Sequence, residues 1–174
     1  MTDSLKYSIF KTRWGFFGLL ADEKGLLKTS LPMKTRQAVK KRLLKGTSKK
    51  ANEVENLSNS LKRAIIGYYN GVYVDFQSLK IIFNFDELTD FQKLVLTACR
   101  KIKIGKAATY GQLAIMAGCP GAARAVGSVM AKNQWPLLIG CHRIVKSDGS
   151  VGGFSFGGSK TKKRMIEHEQ KIKN

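Results

Sequence analysis

Acidic side chains are scarce in this chain: 12 Asp and Glu stand against 31 Lys and Arg, a formal charge of +19 over 174 residues. The imbalance argues against a basic partner and points to a polyanion, most often nucleic acid. A lysine-rich surface also arises in heat-adapted proteins, and charge alone leaves both readings open. No apolar stretch reaches the roughly 18 residues of a membrane span. The opening MTDSLKYSIFKTRWGFFGLLADEKG lacks the uninterrupted apolar core of a signal peptide, so neither a membrane partner nor export is expected. Cysteine is sparse too. Cys99, Cys119 and Cys141 are odd in number and lie about twenty residues apart, which excludes a disulfide framework and fits a reducing, cytoplasmic setting. They also lack the paired short spacing of a zinc module, so no metal is expected.

What is present divides near Asp86. A chain of this length buries one good core or two small ones. LKYSIFKT, WGFFGLLA and, after the turn signal DEKG, GLLKTSLP are strand-like runs rich in aromatic and aliphatic residues. Lys34 to Lys50 carries eight basic residues and no acid, with Val39, Leu43 and Leu44 as one apolar stripe, and reads as a surface helix. LSNSLKRAIIGYYNG is a second helix stopped by Asn70 and Gly71, and LKIIFNF reads as a further strand. Beyond Asp86, TDFQKLVLTACRKI opens with a capping pair, Thr89 and Gln92, ahead of Phe91, Leu94, Val95, Ala98 and Ile102 at helical spacing. TYGQLAIMAG repeats the device with Thr109 and Gln112 and stops at Gly118. GAARAVGSVMA follows after a tight Cys-Pro-Gly connection, and the pair resembles a helix-turn-helix. The expectation is an α/β (α+β) protein of two subdomains, 1–85 and 86–174.

The GAARAVGSVMA helix has two unlike faces. At 100° per residue, Ala122, Ala123, Val126, Val129 and Met130 share the core side, whereas Gly121, Gly127, Ser128 and Ala131 surround Arg124 on the other. A face of minimal side chains lets the backbone approach a partner closely. Tight helix packing would also use such a face, but an unpaired guanidinium is costly to bury, which favours a DNA-facing surface.

PLLIGCHRIVKSDGSVGGFSFGG, Pro136 to Gly158, sets a cysteine, a histidine and an arginine side by side before a glycine-rich turn. A free cysteine is most often a small buried hydrophobe, the reading for Cys99 and Cys119. An ordinary thiol, with a pKa of about 8.5, is only a few per cent thiolate at neutral pH, and a nearby imidazole or guanidinium raises that fraction. If this run continues as a strand, Cys141 and His142 point to opposite faces. Contact between them would need a turn at Gly140 or a bridging water. In SKTKKRMIEHEQKIKN, Glu169 falls at the centre of the face made by Met165, Ile166 and Ile172. A carboxylate there needs a partner, either a histidine of the cysteine loop or one of the many lysines.

IGCHRIV, TYGQLA, ARAVGSVMAKNQWPLLI and GSVGGFSFGG resemble the O6-alkylguanine-DNA alkyltransferases, the methylated-DNA–protein-cysteine methyltransferases, over about Thr89 to Gln170. The resemblance implies an N-terminal ribonuclease-H-like subdomain without catalytic acids. It also implies a C-terminal helical subdomain with a helix-turn-helix and an active-site loop. By that resemblance Cys141 is the alkyl acceptor, and His142, through a water, and Glu169 are the relay that deprotonates it. Tyr110 hydrogen-bonds the departing purine at N3, and Asn133 joins the helix-turn-helix to the active-site loop. Arg124 fills the stack when the nucleotide flips out, flanked by Ala123, Ala125, Gly127 and Ser128 on a helix that enters the minor groove. Flipping is required because O6 of a paired guanine is out of reach for in-line attack. Cys141, Ile144 and Ser155 would line the guanine pocket through their backbones, with Pro136, Phe154 and Arg143 completing it.

The resemblance further implies a monomer that acts on double-stranded DNA with no cofactor, since the damaged base is itself the alkyl donor. Two positions depart from the family pattern. Gly140 stands where proline is usual, leaving the loop less constrained, and Phe154 stands in place of a tyrosine. A lesion-binding relative without the acceptor cysteine is disfavoured by the intact CHR. A cysteine hydrolase would leave the helix-turn-helix and the charge without a purpose, and a nucleic-acid-binding module with an inert thiol is the plainest alternative. Affinity for duplex DNA should fall steeply with salt, with a log–log slope of about −0.9 per phosphate neutralised. A flat response in a fluorescence titration would remove nucleic acid as the partner.

Overall fold

Three aromatic and aliphatic runs meet as an antiparallel meander in the computed structural model, which describes residues 4–172: β1 (Leu5–Thr12), β2 (Gly15–Asp22) and β3 (Gly25–Met33). Each connection is closed by a side chain. Thr12 Oγ1 accepts from Trp14 N and donates to Gly15 O, and Asp22 Oδ1 accepts from the backbone of Lys24 and Gly25. Gly15 has φ +132°, and a Cβ there would lie 2.6 Å from Met33 O, so only glycine fits that turn.

The basic run forms α1 (Arg36–Leu44), capped by Thr35, whose Oγ1 accepts from Ala38 N at 3.1 Å. It leads to β4 (Ala51–Glu53), which pairs parallel to β1, and then to α2 (Asn59–Tyr69). The sheet order is β3-β2-β1-β4, a ribonuclease-H-like arrangement. One sheet face, with Leu5, Tyr7, Ile9 and Leu20, packs on Val39 and Leu43 of α1. Gly18 makes that approach possible, because a Cβ there would overlap both α1 side chains. On the other face, Phe10 stacks on Phe17 at 5.7 Å, and Phe17 meets Tyr69 of α2 at 6.1 Å.

Two details differ from the sequence reading. LKIIFNF is not a strand. It touches β3 at a single bridge, Leu26 to Phe83, through Leu26 N to Ile82 O and Asn84 N to Leu26 O. Side-chain bonds from Asn84 to Asp22 and from Asp86 N to Asn84 take the place of a ladder, and Ile82 is 72% exposed. β4 gave no signal in the sequence, being three residues long with only one of them apolar.

The described residues divide into two compact units between Asp86 and Glu87. In the second, α3 (Asp90–Arg100) and α4 (Tyr110–Met116) both open on complete capping boxes. Gln92 Oε1 accepts from Thr89 N at 2.9 Å and Gln112 Oε1 from Thr109 N at 2.7 Å. The buried stripe of α3 is Val95, Ala98 and Cys99, continued by Ile102 just past the helix end, at i, i+3, i+4, i+7 spacing. Leu94, expected in that stripe, is 52% exposed, and Leu96 is buried instead. α4 ends in a left-handed glycine, Gly118, with Cys119 N bonded to Ala114 O and Gly118 N to Ile115 O. The turn delivers α5 (Ala123–Ala131), followed by a one-turn 3-10 helix at Cys141–Arg143 and by α6 (Gly158–Lys171). Two short parallel strands, β5 (Ala108–Thr109) and β6 (Ile144–Val145), tie the start of α4 to the end of the Cys-His-Arg turn. Among the described residues no helix is long and apolar enough to cross a membrane.

Candidate active site

The apolar run after α5 does not continue as a strand through the cysteine. Trp135 to Ile139 is buried and irregular, Leu137 holds φ +75°, and Ile139 N bonds back to Trp135 O. A fully buried leucine in the left-handed region is strained and has to be held by its surroundings. The chain then turns at Gly140, with Cys141 N on Ile139 O at 2.8 Å and Arg143 N on Gly140 O at 2.8 Å. Of the two alternatives left open by the sequence, the turn is the one adopted.

Asn133, buried at the end of α5, organises this turn. Its Nδ2 donates to Ile139 O at 3.0 Å and to Cys141 Sγ at 3.1 Å, while its Oδ1 accepts from Trp135 N at 3.0 Å. The side chain therefore joins the helix-turn-helix to the cysteine. Burial pushes the Cys141 thiol pKa up, against the Asn133 hydrogen bond and the charges of Lys162 and Arg143. The free protein thus keeps most of this sulfur as a thiol.

Glu169 of α6 lies on the other side of the Cys-His-Arg turn, 2% exposed. His142 Nε2 is 2.6 Å from its Oε1, and Gly105 N donates to Oε2 at 3.0 Å. Arg143 reaches both oxygens, with Nε at 3.0 Å from Oε2 and its terminal Nη2 at 2.9 Å from Oε1. Burial alone would raise the Glu169 carboxyl. The hydrogen bond of His142 and the charge and hydrogen bonds of Arg143 outweigh it and hold the group well below the usual carboxylate range. For His142 burial wins over the pull of Glu169 and lowers its pKa. A neutral imidazole donating from Nε2 to Glu169 leaves Nδ1 as an acceptor. That Nδ1 is buried without a hydrogen-bond partner among the described residues.

Arg143 is the main correction. Expected at the guanine pocket, it is buried on Glu169, and its other terminal nitrogen donates to Ile102 O at 2.8 Å. Gly140 makes room for it: a Cβ there would lie 2.7 to 2.9 Å from the guanidinium and its stem. The glycine therefore does not leave the loop loose, because Arg143 occupies the space a side chain would take.

Tyr110 begins α4 directly after β5, half-buried, and burial raises its phenol pKa. Gly127 is half-buried beside it, since a Cβ there would sit 3.8 Å from the ring. Arg124, Ala125 and Ser128 are exposed and Ala123 is half-buried. The Arg124 side chain has no partner among the described residues. In the glycine-rich segment, Ser155 Oγ donates to Ala131 O at 2.8 Å and Phe154 is half-buried, while Pro136 and Ile144 are buried. Lys162 was missed altogether. It is 1% exposed, with its ammonium 5.7 Å from the Tyr110 ring and 6.0 Å from the Phe154 ring. Its spacing to Met165 and Glu169, three and seven residues, was the signal that places it on the same buried face.

A methylated-DNA–protein-cysteine methyltransferase of Methanothermobacter thermautotrophicus is 34% identical to this chain over 133 residues, covering 73% of this chain and 70% of that protein. The chain belongs to that family. The family model described as 6-O-methylguanine DNA methyltransferase, DNA binding domain, matches residues 90–171. The rat methylated-DNA–protein-cysteine methyltransferase is 41% identical over 88 residues, and that match spans 51% of this chain but only 41% of the rat protein. Among solved structures, the O6-methylguanine-DNA methyltransferase of Pyrococcus kodakaraensis superposes with a TM-score of 0.73 at 26% identity, over 94% of this chain and 98% of that one. A Mycobacterium tuberculosis protein solved in complex with DNA shares the fold, with a TM-score of 0.74 at 23% identity over 95% and 92% of the two chains.

The depressed carboxyl of Glu169 fixes the sign of one pH effect. Its contribution is present above the ordinary value of 4.5 and is lost as pH falls toward the folded-state value. Glu169→Gln should cost about 3 kcal/mol at pH 7, because it leaves Arg143 buried and unpaired. In urea unfolding, the gap between wild type and variant should narrow steadily below pH 4.5. A gap that is constant with pH would show that the carboxylate charge contributes nothing.

Proposed function

We propose that this chain repairs O6-alkylguanine in double-stranded DNA by transferring the alkyl group once, irreversibly, to Cys141. The observation that carries the reading is the buried Glu169–His142 pair, with Nδ1 left as an acceptor in the residue next to a cysteine already bonded by Asn133. Family membership supports the reaction class. In this reading residues 86–174 form the DNA-binding and alkyl-acceptor subdomain, residues 1–85 form the ribonuclease-H-like subdomain, and the protein acts in the cytoplasm as a monomer.

The chemistry follows from the charges. Nδ1 of His142 takes the Cys141 proton through one water, and the imidazolium so formed is stabilised by Glu169. The thiolate attacks the alkyl carbon in line. A carbon–sulfur bond forms, the bond to O6 breaks, and its electron pair passes to the guanine, whose N3 accepts a hydrogen bond from the Tyr110 hydroxyl. Ile144, Pro136, Phe154 and Ser155 wall the pocket, and Arg143 serves the relay instead. Water does not cleave the resulting thioether, so each chain acts once, and the base itself supplies the group transferred.

Reaching O6 requires the nucleotide to leave the stack. Arg124 is the exposed residue of α5 that fills the gap from the minor groove, and the small neighbours Ala123, Ala125, Gly127 and Ser128 let the helix backbone come close. Incubation with excess O6-methylguanine DNA should add one methyl group per chain, found by peptide mass spectrometry on Cys141 and not on Cys99 or Cys119. Cys141→Ser should abolish transfer while DNA binding stays within a few fold, since phosphate contacts dominate affinity. Many lesions cleared per molecule would contradict the single-use mechanism.

Arg124→Ala should slow repair of duplex DNA by roughly 10- to 100-fold, reflecting an unstacking cost of a few kcal/mol, and leave reaction with free O6-benzylguanine nearly unchanged. Equal losses on both substrates would assign the arginine to the fold.

A further inference from the structure

Lys162 is a buried cation for which the relay described above has no use. It projects from α6 between two rings expected at the guanine pocket, Tyr110 of α4 and Phe154 of the glycine-rich segment. It makes no ion pair or hydrogen bond among the described residues, so the two ring faces are its contacts there. Desolvating an ammonium against two aromatic faces is costly unless a negative charge develops nearby. The groups facing it from the elements packed around α6 are Cys99 of α3, Tyr110, Cys141, His142 and Arg143.

We propose that Lys162 is the fixed cation of this site, an electrostatic positioning residue that is held by Tyr110 and Phe154 and stabilises the Cys141 thiolate before transfer and the anionic guanine leaving group after it. The assignment deepens the alkyl-acceptor reading and rests on Cys141 being the nucleophile. When the thiol proton goes to His142, the positive charge made on the imidazole is balanced by Glu169. The negative charge made on sulfur has no permanent counter-ion in that relay, and Lys162 provides one. Its charge favours the ionised form of both buried thiols, Cys99 and Cys141, whereas Arg143 is already bound to Glu169. Phe154 suits this role because an apolar ring excludes water from the ammonium without competing for its hydrogen bonds.

The test is the pH dependence of Cys141 modification in the full chain, with iodoacetamide as a probe that needs no guanine and with O6-benzylguanine as the alkyl donor. Lys162→Met should move the midpoint of the iodoacetamide profile upward by about one pH unit, a roughly tenfold loss of rate at neutral pH. Lys162→Arg should restore most of it. The Met variant should unfold at the same temperature as wild type or higher, because an unpaired buried charge has been removed. An unmoved midpoint in a folded Met variant, or Met and Arg variants that both merely lose heat stability, would overturn the proposal. Reaction with O6-benzylguanine should slow at least as much as reaction with iodoacetamide, and a smaller loss would overturn the leaving-group part. A wild-type protein whose Cys141 reacts with iodoacetamide but never with an O6-alkylguanine would defeat the alkyl-acceptor reading. The midpoint shift would still decide whether Lys162 acts on the thiol.

Discussion

The second unit depends on one carboxylate. Glu169 accepts from the His142 imidazole, the Arg143 guanidinium and the Gly105 amide at once, in a site almost closed to water. Those bonds fasten α6 to the Cys-His-Arg turn and to the segment after α3, and they set the orientation of the imidazole. An apolar residue at this position could fill the same space. It could not choose which histidine nitrogen carries the proton, and that choice decides whether Nδ1 is free to accept one. The same contacts explain why Arg143 is adjacent to His142: it secures the carboxylate that orients its neighbour.

The electrostatics around the cysteine favour a charge made late over a charge stored. Burial keeps the thiol protonated, the imidazole neutral and the phenol above its ordinary pKa. Against this, Asn133 places a donor on the sulfur, and Lys162 and Arg143 lie close enough to favour ionisation. The thiolate is the nucleophilic form of a cysteine, so any attack by this sulfur needs its proton removed first.

Much of this was legible in the sequence, and the physical nature of each signal explains what was not. The capping pairs Thr89–Gln92 and Thr109–Gln112, the Asp22 turn and the stop at Gly118 are local, so four or five residues suffice to specify them. The cysteine loop was ambiguous because apolar runs are compatible with strand and with irregular packing, and the turn depends on Asn133 reaching back from another element. LKIIFNF looked like a strand by composition, but a ladder requires a partner edge, and β3 offers one at a single residue. Leu94 was placed in the α3 stripe because it stands four residues before Ala98, yet it is exposed and Leu96, about 200° round the helix from it, is buried. Arg143 and Lys162 were misread or missed for the same reason: a basic residue in a chain with 31 of them carries little information until its burial is known.

The two units build stability from different materials. The core around β1, β2 and α1 is Leu5, Tyr7, Ile9, Leu20, Val39 and Leu43, apolar but for the Tyr7 hydroxyl, which bonds Glu53. The second unit buries Asn133, His142, Arg143, Lys162 and Glu169 alongside its aliphatic residues. Polar groups in such a place weaken a fold unless every one is satisfied. Here Asn133, Glu169 and Arg143 are hydrogen-bonded, while His142 Nδ1 has no hydrogen-bond partner among the described residues and the Lys162 ammonium faces two aromatic rings. The first is a proton acceptor and the second a cation, the two kinds of group that favour loss of a proton from a neighbouring thiol.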